Sequence, residues 1–89
     1  MKIELKKFGT LLASRPDGRE AFLAFKAYVG SLKKSEPFEI DFTDIRVLTP
    51  SWADEFFTGL KETYPDHSIK YLPSKNASVI ETLKFLKEQ

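Results

Sequence analysis

Apolar residues along the chain change their spacing from two to three and four and back again, and each change marks an element. Ile3, Leu5 and Phe8 stand among Lys and Glu, Gly9 interrupts, and Leu11-Leu12 follows. That pattern predicts two short strands joined by a tight turn. Ser14-Arg-Pro-Asp-Gly-Arg-Glu-Ala21 then carries helix-start signals, with Pro16 followed by Asp17 and Glu20 at capping-box spacing. A helix is expected to begin near Asp17. Phe22, Phe25, Val29 and Leu32 recur at steps of three and four and give it one apolar face, while Lys26, Lys33 and Lys34 mark the solvent side and the last turn.

After Pro37, the run Phe38-Glu-Ile-Asp-Phe-Thr43 alternates with period two, as a strand with one buried and one polar face does. Pro50 suits a first helical turn, and Ala53, Phe56, Phe57, Leu60 and Tyr64 form the apolar side of a second helix that Pro65-Asp-His67 stops. Ser68-Ile-Lys-Tyr-Leu72 reads as a short strand bounded by Pro73. Asn76 suits the cap of a last helix whose Val79, Ile80, Leu83 and Leu86 face inward. The expected order is β-β-α-β-α-β-α, an α/β class. Strands alternating with helices imply right-handed crossovers and a mixed four-stranded sheet whose later strands are parallel. The polar second face of Phe38 to Thr43 places the helices mainly on one side of that sheet.

A chain of 89 residues buries too little surface to fill two cores, so residues 1–89 are expected to be a single domain. Fourteen basic residues against thirteen acidic ones leave a net charge of +1. Counterion-release binding needs a clustered excess of Lys and Arg, so this balance argues against nucleic acid. The absence of cysteine excludes a disulfide framework, a thiolate metal site and a cysteine nucleophile, and fits a reducing compartment. Met1-Lys-Ile-Glu-Leu-Lys-Lys7 has no apolar run for a signal peptide, and no stretch approaches the ~20 apolar residues of a membrane span. A cytoplasmic location away from membranes is the expectation.

Candidate chemistry gathers where the alternating strand runs into the second helix. Asp54 and Glu55 are adjacent, but helical neighbours point about 100° apart and do not share a site. They read as first-turn acids that complement the helix dipole, the alternative for Asp54 being a contact to Arg15, Arg19 or Arg46. Ser51, three residues before Asp54, has near-capping-box spacing and reads as a helix N-cap. The same hydroxyl at a helix N-terminus would favour an added phosphate. Trp52 lies at the edge of the apolar stripe, either packed on the preceding loop or exposed as a binding hot spot. Arg15 and Arg19, with Gly18 between them, could form an anion contact at the start of the first helix. The single histidine, His67, reads as a loop residue, and the four scattered glycines form no phosphate loop. With no catalytic residues, metal ligands or cofactor motif in view, the reading is non-enzymatic.

Two blocks, Phe8-Gly-Thr-Leu-Leu-Ala-Ser-Arg-Pro-Asp-Gly-Arg-Glu-Ala21 and Ile40-Asp-Phe-Thr-Asp-Ile-Arg-Val-Leu-Thr-Pro-Ser-Trp-Ala-Asp-Glu-Phe56, carry a resemblance to the STAS-like domains of unknown function, DUF4325. That family is distantly similar to anti-sigma factor antagonists. With the trailing strand and the Asn-opened last helix, the resemblance covers nearly the whole chain. It implies a small sheet with helices on one face, no cofactor, and a binding module that regulates a protein partner. In the antagonists an Asp-Ser-Ser-Gly-like turn follows a strand, and its serine is phosphorylated by a histidine-kinase-like ATPase. Here the matching residues are Thr49-Pro-Ser-Trp52, which keep Ser51 but lack the acid and the glycine. Thr49, Ser51, Trp52, Asp54 and Glu55 are the expected partner surface, with phosphorylation of Ser51 as an option beside its capping role. The rival expectation is a small-ligand or nucleic-acid module using Arg15, Arg19 and Arg46.

Overall fold

The period-two segment becomes the central strand of a three-stranded sheet. A computed structural model describes residues 1–88. In chain order the elements are β1 (Lys2–Glu4), a 3-10 turn (Leu5–Phe8), β2 (Leu11–Leu12), α1 (Arg15–Tyr28), β3 (Phe38–Asp41), β4 (Val47–Leu48), α2 (Pro50–Thr63), β5 (Ile69–Tyr71) and α3 (Ala77–Lys87). β3 lies between β1 and β5, parallel to both. The register sets Ile3, Ile40 and Tyr71 side by side on one face and Lys2, Glu39 and Lys70 on the other, with Glu4 beside Asp41. Lys2 and Lys70 therefore flank Glu39 across the outer face, and the like-charged neighbours Glu4 and Asp41 are offset by Lys2, whose Nζ lies 3.6 Å from Asp41 Oδ2. On the inner face Phe38 meets Phe25 of α1 and Tyr64 after α2, while Tyr71 meets Phe57 of α2. α1 and α2 thus cover one side of the sheet, as the alternation implies.

The first strands are not a hairpin. Leu5 to Phe8 wind into a 3-10 turn, and β2 pairs in parallel with β4, not with β1. Leu5 and Phe8 are three apart, so an extended chain would send them to opposite faces. In a 3-10 turn positions i and i+3 eclipse, and both reach the core. Leu5 is 0% exposed, and the Phe8 ring lies 5.3 Å from that of Phe56. Pairing between the two chain segments resumes beyond the turn with the partner offset changed by one, from Lys2↔Glu39 to Leu11↔Val47. Lys6 and Asp44 meet across the gap at 3.5 Å. Among the described residues the sheet is therefore neither mixed nor four-stranded: five strands form two sheets, every pairing is parallel, and the order is β-β-α-β-β-α-β-α.

Helix starts follow the side chains that can satisfy free N–H groups. Ser14 Oγ accepts from Asp17 N at 3.2 Å, so α1 begins two residues before Asp17. α1 stops at Tyr28, and Leu32 reaches the core from the following loop. Asn76 caps α3 as expected, accepting from Ser78 N and Val79 N. The same residue begins a polar strip that completes the edge of β4. Asn76 Nδ2 donates to the carbonyls of Ile45 and Arg46, Leu48 N donates to Ser78 Oγ, and Thr82 Oγ1 donates to Leu48 O at 2.7 Å. Thr82 is buried in an apolar setting because this bond satisfies it. Turning Ser78 and Thr82 toward β4 leaves Ile80 at the flank of α3, 47% exposed and not inward as its spacing predicts. His67 is held more firmly than a plain loop residue: its ring stacks on Phe38, and Nδ1 lies 2.6 Å from Glu36 O.

α1 and α2 approach closely enough that two glycines become steric requirements. A Cβ on Gly18 would lie 2.6 Å from the carbonyl oxygen of Trp52, and one on Gly59 would lie 2.8 Å from the Phe22 ring. The first obstacle is helix backbone, whereas the second is a side chain that can shift. Alanine favours an isolated helix by about 1 kcal/mol over glycine, yet Gly18→Ala is expected to destabilise the protein by about 2 kcal/mol through overpacking. Gly59→Ala should cost less. Urea unfolding checks this ranking, and a Gly18→Ala midpoint at or above the parent's would contradict it.

Asp41 ends β3 by accepting from Thr43 N at 3.0 Å and Thr43 Oγ1 at 2.6 Å. These bonds, helped by Lys2, hold its pKa below the usual carboxylate value. A depressed folded-state pKa gives stability that is present above the unfolded value, about 4, and is lost as pH falls through the folded one. Asp41→Asn should therefore be less stable at pH 7 and show a shallower loss between neutral pH and pH 3 in a series of thermal melts.

Candidate functional site

The junction between β4 and α2 is built around Thr49. Its N–H donates to Leu12 O at 3.0 Å, continuing the β2–β4 ladder. Its hydroxyl donates to Ala13 O at 2.7 Å and accepts from Trp52 N at 3.4 Å. Thr49 is thus the N-cap, and Ser51 is not. The reason lies in Pro50, which has no N–H to lose and a φ suited to the first helical position, so the cap falls on the residue before it. Ser51 sits in the first turn, exposed, and its hydroxyl makes no hydrogen bond among the described residues.

Trp52 is only 1% exposed, which removes it from the expected partner surface. Its ring stacks on Phe56 at 5.0 Å, and its backbone lies under Gly18. Asp54 and Glu55 are the fifth and sixth residues of α2, beyond the first turn, so the dipole does not account for them. They also share a partner, against the expectation drawn from their 100° separation. Arg15 Nη1 lies 2.9 Å from Asp54 Oδ2 and 3.0 Å from Glu55 Oε2. The two acids cannot converge along one helix, but a guanidinium reaching over from α1 joins them. Their hydrogen bonds hold the Arg15 pKa above its ordinary value. Asp54 Oδ1 also accepts from Thr58 Oγ1 at 3.3 Å.

The three arginines do not form one anion contact. Arg15 is taken up by two carboxylates, and Arg19 borders a groove with Asp54, Glu55 and Glu62, whose acids repel an anion. Arg46 belongs to the approach to β4, where Asn76 Nδ2 binds its carbonyl. No group of three His, Asp or Glu side chains among the described residues could hold a metal ion, and no described helix is long and apolar enough to cross a membrane.

Arg15, Pro50, Ser51 and Asp54 meet Phe85 of α3 around a shallow cleft of 260 Å³. Phe85 is 47% exposed and absent from the sequence-derived site. Its only signal there was an aromatic lying off the inward stripe of the last helix.

Two helices on one face of a small parallel sheet and a third along the edge of β4, with the strand-to-helix junction opening to solvent, define a STAS-like α/β domain. The chain belongs to the family described as STAS-like domain of unknown function (DUF4325), whose model matches residues 25–79. That segment is more than half of the chain and runs from within α1 to the start of α3, so it contains the block from Ile40 to Phe56. The block from Phe8 to Ala21, with Arg15 and Arg19, lies outside it. No curated protein and no solved structure matches the chain.

Thr49→Ala removes both a cap and a clasp between segments and is expected to cost about 1–2 kcal/mol. Ser51→Ala, at an exposed position without a partner, should stay within about 0.5 kcal/mol of the parent. Equal losses for the two variants in chemical denaturation would reverse this assignment of the cap.

Proposed function

We propose that this chain is a non-enzymatic, cytoplasmic regulatory domain that binds a protein partner through the rim of the β4–α2 junction. Ser51, Asp54 and Glu55 form that rim together with Arg15 and Phe85, while Thr49 holds it in place from beneath. The observation that carries this reading is the freedom of Ser51: the cap is supplied by Thr49, yet a serine hydroxyl stands exposed beside a cluster of one cation and two anions. Membership of a STAS-like family supports an interaction role. The likeness to anti-sigma factor antagonists extends it to a partner of the histidine-kinase-like ATPase type and to phosphorylation of Ser51.

The local electrostatics give such a modification a direct effect. A phosphate on Ser51 would bring close to two negative charges into the cleft shared with Arg15 and Asp54. The positive end of the α2 dipole favours it, Asp54 repels it, and it would compete with Asp54 and Glu55 for the Arg15 guanidinium. The same modification would thus change both the charge of the rim and the contact tying α1 to α2.

Quantitative affinity capture from native lysate tests the surface. Ser51→Asp and the double variant Asp54→Lys/Glu55→Lys should each lose partners that the parent captures. Lys70→Glu, on the outer face of the sheet, should keep them. Capture of every partner by all three variants would sink the proposed rim, and intact-protein mass spectrometry of the native chain reports separately on a phosphate at Ser51.

A further inference from the structure

An apolar concavity lies away from the junction, where α2, β5 and α3 meet. Tyr71, Ile80, Leu83 and Leu86 line a groove of 530 Å³, and Lys61, Lys84 and Lys87 complete its lining. Lys61 comes from the last turn of α2, and Lys84 and Lys87 from the last turn of α3. Cations in last turns ordinarily serve the helix dipole, but here two helices aim theirs at one apolar trough. None of the three forms an ion pair among the described residues, and no acidic side chain lines the groove. On α3, Ile80, Leu83, Lys84 and Lys87 stand at i, i+3, i+4 and i+7, so they share one helical face. It is a second face, separate from the Ser78–Thr82 strip that binds β4.

We infer that this groove docks an acidic amphipathic helical segment of a partner protein, its apolar side chains on Ile80, Leu83 and Tyr71 and its carboxylates on the three lysines. Charge complementarity selects this occupant. Three cations spread over two helices match several carboxylates along a segment, whereas a single-headed amphiphile such as a fatty acid neutralises one. A nucleic acid would find one aromatic ring and an aliphatic floor in place of stacking platforms. A helix laid in a groove by anchors one turn apart is an established mode of peptide recognition. The inference stands on residues outside the Ser51 rim and does not depend on it.

The test uses the whole chain and a displayed library of 16-residue peptides with Leu, Ile or Phe at i, i+3, i+4 and i+7 and Asp or Glu between them. Selected peptides should bind saturably in fluorescence anisotropy, perturb the backbone amides of β5 and α3 in NMR spectra, and lose affinity as salt rises. Lys84→Glu/Lys87→Glu should weaken them by about tenfold or more, and Lys61→Glu, on the other helix, should weaken them in the same direction. Ile80→Asp should remove binding. All four positions are exposed, so circular dichroism should be unchanged, which separates lost binding from lost folding. Failure to enrich any acidic peptide, affinity that survives both charge reversals, or decanoate filling the groove and displacing the peptides would each overturn the inference.

Discussion

The contact between α1 and α2 decides what the rest of the surface can be. Gly18 lets the first helix press onto the backbone of Trp52, with Glu55 also within reach of the missing side chain. Arg15 stands three residues earlier on the same helical face, so the approach that buries Trp52 also carries the guanidinium over Asp54 and Glu55. A larger residue at position 18 would force the helices apart and loosen the Trp52–Phe56 stack together with the Arg15 contacts. The exposed ion pairs themselves contribute little to stability, because solvent screens them. The glycine sets their geometry, and the buried aromatic cluster holds it.

A second constraint works on the opposite side of the junction. β4 is only two residues long and would leave unpaired backbone groups beside the core, which is costly where water is excluded. Asn76, Ser78 and Thr82 supply from a helix the hydrogen bonds that a neighbouring strand would otherwise make. This commitment fixes the rotation of α3 about its axis. Val79 goes into the core, Phe85 comes to the rim beside Ser51, and Ile80 with Leu83 turns toward the groove edged by lysines. The proposed rim and the proposed groove are thus consequences of one edge being satisfied.

Much of the architecture was legible from spacing alone, since burial on one face imposes a period wherever an element is long enough to repeat it. All three helices, the strand at Phe38 and the strand at Ile69 are present, although α1 starts two residues early and stops at Tyr28, before the last positions of its stripe. Val47-Leu48 was not legible because two residues cannot express a period. Leu5 and Phe8 misled because a spacing of three has no meaning in a strand, and the alternative, a 3-10 turn, becomes favourable only when a core is there to receive both side chains. At the junction, Ser51-x-x-Asp54 resembled a capping pattern, but Pro50 had already marked Thr49 as the cap, and that signal stood in the sequence to be weighed.

Local chemistry, then, was determined by the sequence itself: the alternation of Phe38 to Thr43 that makes a one-sided sheet, the apolar stripes of α1 and α2, and the capping role of Asn76. Each of these is set by a residue and neighbours within a few positions. What tertiary structure alone decided were the properties that depend on residues distant in the chain. Trp52 is buried because Gly18 admits a second helix, Asp54 and Glu55 share a cation because Arg15 lies on that helix, and Ser51 is free because Thr49 reaches Leu12 and Ala13. Which side chains stay exposed at the junction follows from how helices approach one another, and no spacing along one helix encodes that distance.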